Sequence, residues 1–448
     1  MDEFLNSKIS ITSLIKQTLP TVIMMIFFAM YSIVDGMFVS RYVGPDALSS
    51  INIAYPMISL LIGISVMLAT GGNAVISKLM GEKKSREAKE SFTLIVLSLI
   101  TIGVIIAALL IVFIKPVILF LGATDNLYKY CNEYLVINLI FTPFIMLKLF
   151  FDYYYVTVGK AKFGLVISVL GGIINMILDY VFIGLLGIGV SGAAIATVLG
   201  YAVPAVIGII FFCKKDRPLH FVKPKFDIDL LKNSCVNGSS EMVTQLSSAV
   251  TTFFYNLAML EFLGESGVAA ITIILYIQFL LSAAYIGFTS GVAPKIGYNY
   301  GAQNKKEIQK LVRYSYTIIL GFSIITFIIA KIIEYPLTAL FCGEGTEVFY
   351  ITLNGFNIFS VSFLLCGVNI FTSGMFTAFS NGKVSGMLSL FRTFIFFMVG
   401  IFTLPRFFGV NGIWLISVFT EILSIIISVI AVLRYKHTYG YSLKLSYN

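Results

Sequence analysis

The sequence contains few charged residues for its length. Only 12% of its 448 residues are Asp, Glu, Lys or Arg, whereas an ordinary globular chain carries about 25%. Hydrophobic residues make up 58% of the chain, which is more than a soluble protein of this size can bury. Runs such as 91–114 and 409–433 are long enough for a membrane-spanning helix, which needs roughly 20 apolar residues. The shortage of charge therefore excludes a soluble protein.

Residues that bind metals or carry redox chemistry are also scarce. The chain has two histidines, and its five cysteines are scattered without CxxC spacing. This pattern predicts neither a zinc site nor a disulfide framework. The sequence also lacks a GxxxxGK[ST] phosphate loop, HExxH and GxSxG. We therefore expect no cofactor, no ATP hydrolysis by this chain and no enzyme activity.

The apolar runs show no alternation of the kind that marks barrel strands, so they predict helices. The expected fold is an all-α integral membrane protein with twelve transmembrane helices. Hydropathy places the twelve spans at 12–39, 46–77, 91–114, 127–155, 163–184, 189–213, 233–260, 267–299, 311–331, 348–378, 384–404 and 409–433.

Basic residues concentrate in every second loop of this arrangement. They occupy 78–89 after span 2, 214–232 after span 6 and 305–313 after span 8. Because basic loops stay on the cytoplasmic side, we predict a multi-pass protein of the inner or plasma membrane with both termini in the cytoplasm. This asymmetry accounts for the net charge of +9. The expected polyanionic partner is membrane lipid, and no nucleic acid is needed to explain the charge.

An internal repeat with an offset of 220 residues indicates two related halves. Gly81-Glu-Lys-Lys-Ser-Arg-Glu87 aligns with Gly301-Ala-Gln-Asn-Lys-Lys-Glu307, and the same offset joins Gly71 to Gly291 and Pro116 to Pro336. Each half holds six helices, so both enter the membrane in the same sense, as in a parallel repeat. We predict an N-lobe (1–213), a cytoplasmic linker (214–232) and a C-lobe (233–448) around a central cleft.

Ionisable residues at membrane depth are costly and point to function. Asp179 follows Asn175 by four residues, so both lie on one apolar helix face. A carboxyl group in that setting can take up a proton or a sodium ion, although it can also be a structural group satisfied by the asparagine. Asp35 follows Pro20 in span 1, where proline permits a bend. Asp35 is therefore either a titratable group on a moving helix or an acid that is hydrated near the outer interface. Lys295, near the end of span 8, is expected to extend to the interface.

Other charged residues allow a structural reading beside a functional one. Asp152 follows Lys148 by four residues and either pairs with it or joins the coupling site. Glu241 either lines the cleft or is solvated near the cytoplasmic end of span 7. Arg392 and Glu421 occupy neighbouring spans, and an ion pair that holds the second half together is the favoured interpretation.

Aromatic residues make up 15% of the chain, and some fall where a cleft wall is expected. Aromatic faces suit flat organic cations through cation–π contact and stacking. The residues predicted to line the cleft are Tyr31, Tyr55, Glu241, Tyr276, Gln278 and Phe279.

Four segments together resemble the multidrug and toxin extrusion (MATE) family, and the resemblance covers essentially the whole chain. The strongest match runs from Gly291 to Lys306 (GVAPKIGYNYGAQNKK), and its first-half counterpart runs from Gly72 to Lys83. The other two are the segments 35–46 and 175–179. The resemblance implies a secondary antiporter that exports amphipathic organic cations in exchange for protons or sodium ions, by alternating access between two lobes.

Within that family the chain resembles the DinF-type branch, which implies a coupling site in the N-lobe. The matching positions are Asp35, Asn175, Asp179 and Thr197, with Pro20 as the bend in helix 1. This set also implies a sodium site if sodium is the coupling ion. Asp152 occupies a helix-4 position where that branch often has asparagine, so it is included in the predicted coupling set. We expect the transporter to act as a monomer.

Two other functions remain open at the level of sequence. A lipid-linked oligosaccharide flippase of the same superfamily would share the two-lobe architecture. Its cleft should be rich in arginine and lysine to hold pyrophosphate, whereas the N-lobe here is acidic. An intramembrane enzyme would need convergent acid, base and nucleophile, or a metal cluster, and neither histidine falls within a predicted span.

Overall fold

The computed structural model describes residues 9–441, and all its regular elements are helical. The predicted N-lobe begins at residue 1 and the predicted C-lobe ends at residue 448. Residues 1–8 and 442–448 of these lobes therefore lie outside the described residues. The helices of the first half are Ile11–Tyr42 (α1), Pro45–Gly81 (α2), Ser85–Val112 (α3), a short helix Ile114–Phe120, Asp125–Ile140 with Thr142–Thr157 (α4), Ala161–Asp179 continued by the π-helical Tyr180–Leu185 (α5), and Val190–Cys213 (α6).

The second half begins with one long helical stretch, Ile228–Gly301, which breaks at Gly264. Gly264 has φ 62° and ψ −150°, a conformation that side chains disfavour, so the stretch forms two helices, α7 before the break and α8 after it. The remaining helices are Lys305–Cys342 (α9), Glu347–Phe359 with Phe363–Ala378 (α10), Gly382–Leu390 with the π-helical Phe391–Ile395 and Phe396–Phe408 (α11), and Val410–Tyr439 (α12).

These helices give twelve membrane crossings. Ten segments of the described chain are each long and apolar enough to span a bilayer, and the two parts of α4, bent by 60°, make another span. Dividing Ile228–Gly301 at Gly264 adds the twelfth. The predicted all-α membrane fold is confirmed. One detail differs, because α7 begins at Ile228, inside the predicted linker, where the Asp227 carboxylate accepts a hydrogen bond from the Leu230 N–H (3.0 Å) and caps the helix.

The two halves pack against each other at one end of the bundle. We call this the basic end because it carries the three basic loops 78–89, 214–232 and 305–313. Here Gly81 of α2 and Gly301 of α8 contact each other's helices, since a methyl group on Gly81 would overlap the Tyr298 carbonyl and one on Gly301 would overlap the Lys78 carbonyl. The contact is thus formed by backbone against backbone.

Two further glycines extend this closure with the same approximate two-fold symmetry. Gly71 of α2 lies against the Ser234 carbonyl of α7, and Gly291 of α8 lies against Thr18 and Thr21 of α1. Glycine lets helix backbones approach closely at packed interfaces within a membrane. The first helix of each half therefore packs onto the other half at the basic end.

Helix α1 makes contact with both halves of the molecule. Near the basic end its backbone at Val22 lies against Gly287 of α8. Five and nine residues further along the helix, Phe27 and Tyr31 lie against Gly172 of α5. The helix continues without interruption through Pro20. It therefore connects the closure at the basic end to the interior of the first half.

At the other end of the bundle the halves have separate hydrophobic cores. One core includes Val39, Ile118 and Val190 of the first half, and the other includes Ile271 and Trp414 of the second. Aromatic side chains remain exposed between them, with Tyr55 45% and Phe279 41% exposed. We therefore interpret the interior as a cleft that is closed at the basic end and open at the opposite end.

Candidate functional site

Two carboxylates from different helices meet inside the first half. Asp35 of α1 and Asp179 of α5 lie close enough to interact, and Asn175 lies beside both. The close packing of α1 on α5 at Gly172 brings them together. Asp179 is fully buried and Asn175 is 3% exposed. The structure therefore brings Asp35 together with two residues that lie 140 or more positions later in the sequence.

Most polar atoms of this cluster form no hydrogen bond with a described residue. By hydrogen-bond geometry, no described residue bonds to either oxygen of Asp179, the buried Oδ1 of Asp35, or the side-chain amide of Asn175. Burying a charge without a partner is very costly, so such groups hold a proton or a cation. The arrangement can therefore bind either one, because carboxylate and amide oxygens are hard donors that suit Na⁺ as well as H⁺.

Thr197 of α6 belongs to the same region. Gly200, one turn away, lies against Asn175, and α5 and α6 run antiparallel, so Thr197 lies at the level of Asp179. Its hydroxyl is also buried with no hydrogen-bond partner among the described residues. All four residues that the family resemblance implies for cation coupling thus present unpartnered polar atoms. Their role in coupling stays a prediction.

Asp152 is paired with Lys148. The Lys148 ammonium lies 2.7 Å from Asp152 Oδ2, and both side chains are buried. The Ser168 hydroxyl donates to Asp152 Oδ1 at 2.8 Å. Both carboxylate oxygens therefore have partners, in contrast to those of Asp179. The structural interpretation of Asp152 is the one this geometry favours, and its inclusion in the coupling set stays a prediction.

A pair of variants separates the two roles of Asp152. We expect Asp152→Asn to lower the midpoint of thermal unfolding, because removing one partner of a buried ion pair costs about 3–5 kcal/mol. The double variant Lys148→Met/Asp152→Asn should regain much of that stability and retain gradient-driven export. If the double variant has the thermal unfolding midpoint of wild type but no longer exports dye in response to the gradient, Asp152 belongs to the coupling set.

Aromatic residues line the cleft from both halves. The Phe28 and Phe279 rings, one from each half, meet edge to face with centroids 6.4 Å apart. Tyr55 lies near Tyr276 of the other half and near Tyr201 of α6. Gln278, predicted beside them, is half-buried. Flat apolar surfaces from two sides can hold a planar cation between them.

Tyr31 and Tyr201 lie between the cleft and the two polar clusters. Their hydroxyls are neighbours, and Tyr31 is near both Asp35 and Asp152. The Lys148 ammonium also lies 5.5 Å from the centre of the Tyr201 ring. A ligand that contacts these tyrosines therefore lies close to the carboxylate cluster.

Glu241 of α7 lies where the two halves meet, at the closed end of the cleft. It lines a cavity of about 40 Å³ with Asn73 and Tyr153 from the first half and Ser290 and Thr377 from the second. Of the two interpretations from sequence, this location favours the cleft wall. The carboxylate can attract a cationic group that reaches the bottom of the cleft.

Arg392 and Glu421 form the predicted ion pair of the second half. Arg392 Nη2 lies 2.8 Å from Glu421 Oε1, and Asn369 donates to Glu421 Oε2 at 2.6 Å. The prediction is therefore confirmed. The prediction for Lys295 is wrong, since it is 1% exposed and lies among packed helices rather than at an interface.

Sequence reasoning did not identify Ser168, Tyr201 or Phe28. Ser168 and Tyr201 lie on α5 and α6 and reach their partners across helices, so no spacing within one helix reveals them. The sequence offered one signal for Tyr201, which is a residue with a polar hydroxyl inside an apolar run. Tyr201 lies four residues after Thr197. On a helix this spacing places both on one face.

Comparison with known families and proteins agrees with this architecture. The family model described as MatE matches residues 20–181 and 241–403, one match in each half. The multidrug export protein MepA of Staphylococcus haemolyticus (strain JCSC1435) is 24% identical over 402 residues, covering 88% of this chain and 87% of that protein. MepA of Staphylococcus aureus (strain N315) is 22% identical over the same length.

Solved structures share the fold. An outward-facing multidrug resistance MATE family transporter of the MOP superfamily superposes with a TM-score of 0.91 at 22% identity, covering 98% of each chain. A MOP superfamily transporter from Pyrococcus furiosus superposes with a TM-score of 0.89 at 22% identity, covering 96% of this chain and 97% of that one. The latter is described as having a binding pocket of reversed polarity that suggests a different function. The fold alone therefore does not determine the substrate, and the pocket residues must decide.

Proposed function

Because the chain belongs to the MatE family, we propose that it is a secondary antiporter that exports amphipathic organic cations in exchange for protons or sodium ions. The observation that carries this proposal is the cluster of Asp35, Asn175 and Asp179. Both Asp179 oxygens, the Asn175 amide and Asp35 Oδ1 are buried without hydrogen-bond partners among the described residues, as expected of a site that alternately binds and releases a cation. No other cofactor is part of the proposal.

Alternating access is supported by the asymmetry of the cleft. If the basic end faces the cytoplasm, as the positive-inside rule predicts, the cleft is open to the outside. Helix α1 contacts α8 at the closed end and carries Asp35 to the coupling site. Cation uptake at Asp35 and Asp179 would then change α1 packing, release the drug outward and favour the opposite conformation. The proposed location is the plasma membrane, with both termini cytoplasmic and the protein acting as a monomer.

The cleft suits an organic cation better than an anion. Aromatic rings line both of its walls, and Glu241 lies at its closed end. Within the described chain, Lys148 is neutralised by Asp152 and Arg392 by Glu421. Neither of these two positively charged side chains is available to hold a pyrophosphate, so this geometry disfavours the flippase.

The ion gradients of a cell are large enough to drive such an exchange. A tenfold proton gradient supplies about 1.4 kcal/mol per proton, and the membrane potential adds about 2.3 kcal/mol per charge per 100 mV. Lowering the internal concentration of a drug tenfold costs about 1.4 kcal/mol when the exchange is electroneutral. One ion moving down a tenfold gradient therefore balances a tenfold drug gradient, and the membrane potential contributes further only when the exchange moves net charge.

The test is transport of a fluorescent organic cation such as ethidium by purified protein in liposomes. A proton gradient and a sodium gradient are imposed separately, with protein-free liposomes as the control. We expect one of the gradients to move the dye against its own concentration, which also identifies the coupling ion. If neither gradient moves the dye while the same liposomes translocate a lipid-linked oligosaccharide, the flippase replaces the antiporter.

A further inference from the structure

A large groove lies at the basic end of the first half, away from the cleft. It is bounded by the start of α1, the turn between α4 and α5, and the end of α6, and its volume is about 1090 Å³. Five basic residues line it, namely Lys16, Lys160, Lys162, Lys214 and Arg217. We call this feature the basic groove.

The charges of the basic groove are almost uncompensated. No Asp or Glu of the described chain lines it. Arg217 has Asp216 Oδ1 at 3.7 Å, beyond hydrogen-bond distance, and the four lysines form no ion pair with a described carboxylate. Arg217 is held in place by the Phe211 ring, with 4.5 Å from the guanidinium carbon to the ring centre. Its Nε is buried without a hydrogen-bond partner among the described residues. This charge would repel an organic cation and favours an anionic ligand.

Backbone donors add to this positive potential. Helix α5 starts at Ala161, and its N-cap residue Lys160 provides no capping side chain. Residues 160–163 line the groove. The first N–H groups of a helix lack partners within the helix and carry partial positive charge. They therefore favour the same kind of ligand as the lysines, a phosphate group.

The rest of the groove wall is apolar. Pro20, Phe163, Ile207 and Ile210 line it on the side toward the membrane interior, and Ile210 is 57% exposed. A small soluble anion would leave this surface uncovered. A ligand with a phosphate at one end and hydrocarbon chains at the other covers both parts. Basic pockets between transmembrane helices on the cytoplasmic side are suited to anionic lipid headgroups.

We propose that the basic groove binds an anionic phospholipid of the cytoplasmic leaflet. The phosphate contacts Lys160, Lys162 and Lys214 at the start of α5 and the end of α6, and the acyl chains lie along Ile207 and Ile210. This site is separate from the cleft and from the carboxylate cluster. Because α1 forms one wall of the groove, a bound lipid also joins α1 to α5 and α6.

The experiment is native mass spectrometry of the purified protein with equal amounts of phosphatidylglycerol and phosphatidylcholine. We expect wild type to retain phosphatidylglycerol preferentially. The variant Lys160→Gln/Lys162→Gln/Lys214→Gln should retain at least about tenfold less, since each basic residue near the membrane surface contributes about 1 kcal/mol. The matched control Lys83→Gln/Lys306→Gln/Lys436→Gln removes the same charge from the basic end outside the groove and should retain it as wild type does.

Two results would overturn the proposal. Equal loss of lipid in both triple variants would mean that only the overall charge of the basic end attracts lipid. Displacement of phosphatidylglycerol by an equal concentration of glycerol phosphate or inorganic phosphate would mean that the groove is a site for soluble anions. Unchanged thermal unfolding of the groove variant, measured alongside, shows that any loss of lipid is not a loss of fold.

Discussion

Asp179→Asn is expected to abolish gradient-driven export while the protein remains folded and still binds the dye. The physical reason is that asparagine cannot exchange a proton and supplies no negative charge for sodium. Asp179 is fully buried, and neither of its oxygens has a hydrogen-bond partner in the described chain. Replacing it with a neutral group removes an unpaired buried acid, so we expect equal or greater thermal stability. Dye transport should fall to the level of protein-free liposomes.

The measurement combines transport in liposomes, dye binding in detergent and thermal unfolding of the same preparations. Asp125→Asn is the matched control, because Asp125 is an exposed acid in the first turn of α4 and its replacement should leave all three unchanged. Asp35→Asn should lose transport in the same way, since the two carboxylates act as one site. Full coupling in the Asp179 variant would refute the shared site and leave Asp35 as the sole carrier of the ion.

Gly81→Leu and Gly301→Leu, each alone, are expected to hold the basic end open. Any side chain at these positions overlaps the backbone of the opposing helix, so the closed conformation is destabilised and the open one is not. Overpacking costs about 1–3 kcal/mol, which shifts a two-state equilibrium by roughly 5- to 150-fold. Export should slow, because the transporter must pass through the closed conformation in every cycle.

Cysteine labelling reports this opening directly. Ala74 lines the small cavity beside Glu241 and is 4% exposed. In a protein without its five natural cysteines, Ala74→Cys should react faster with a membrane-impermeant maleimide from the basic end when either leucine is present. Gly321→Leu is the control, because nothing lies within 4 Å of a Cβ at this mid-helix glycine. An unchanged labelling rate in both leucine variants would show that these glycines do not form the closure.

The sequence predicted the fold in most respects because hydrophobicity and the repeat are properties of the chain itself. The 220-residue offset that aligns Gly81 with Gly301 corresponds to a reciprocal contact in the structure. The 60° bend within α4 was not predicted. The burial of Lys295 also depends on which helices surround α8, and hydropathy cannot give that.

The candidate site was predictable only in part. Spacing within a helix pairs Asn175 with Asp179 and Lys148 with Asp152, and both pairs lie together in the structure. The meeting of Asp35 with Asp179 came from resemblance to a family rather than from spacing. The Ser168 contact that completes the partners of Asp152 depends on how α5 packs against α4, and no single-helix pattern contains that information.

The closure at the basic end has a consequence for how the protein evolves. Because backbone atoms form the contact at Gly81 and Gly301, mutations that enlarge or reshape the cleft need not disturb it. Positions such as Tyr55, Tyr276 and Phe279 are therefore free to vary under selection by new compounds. Variants selected for a wider range of exported drugs should accumulate changes in these aromatic walls, whereas the two glycines should remain glycine.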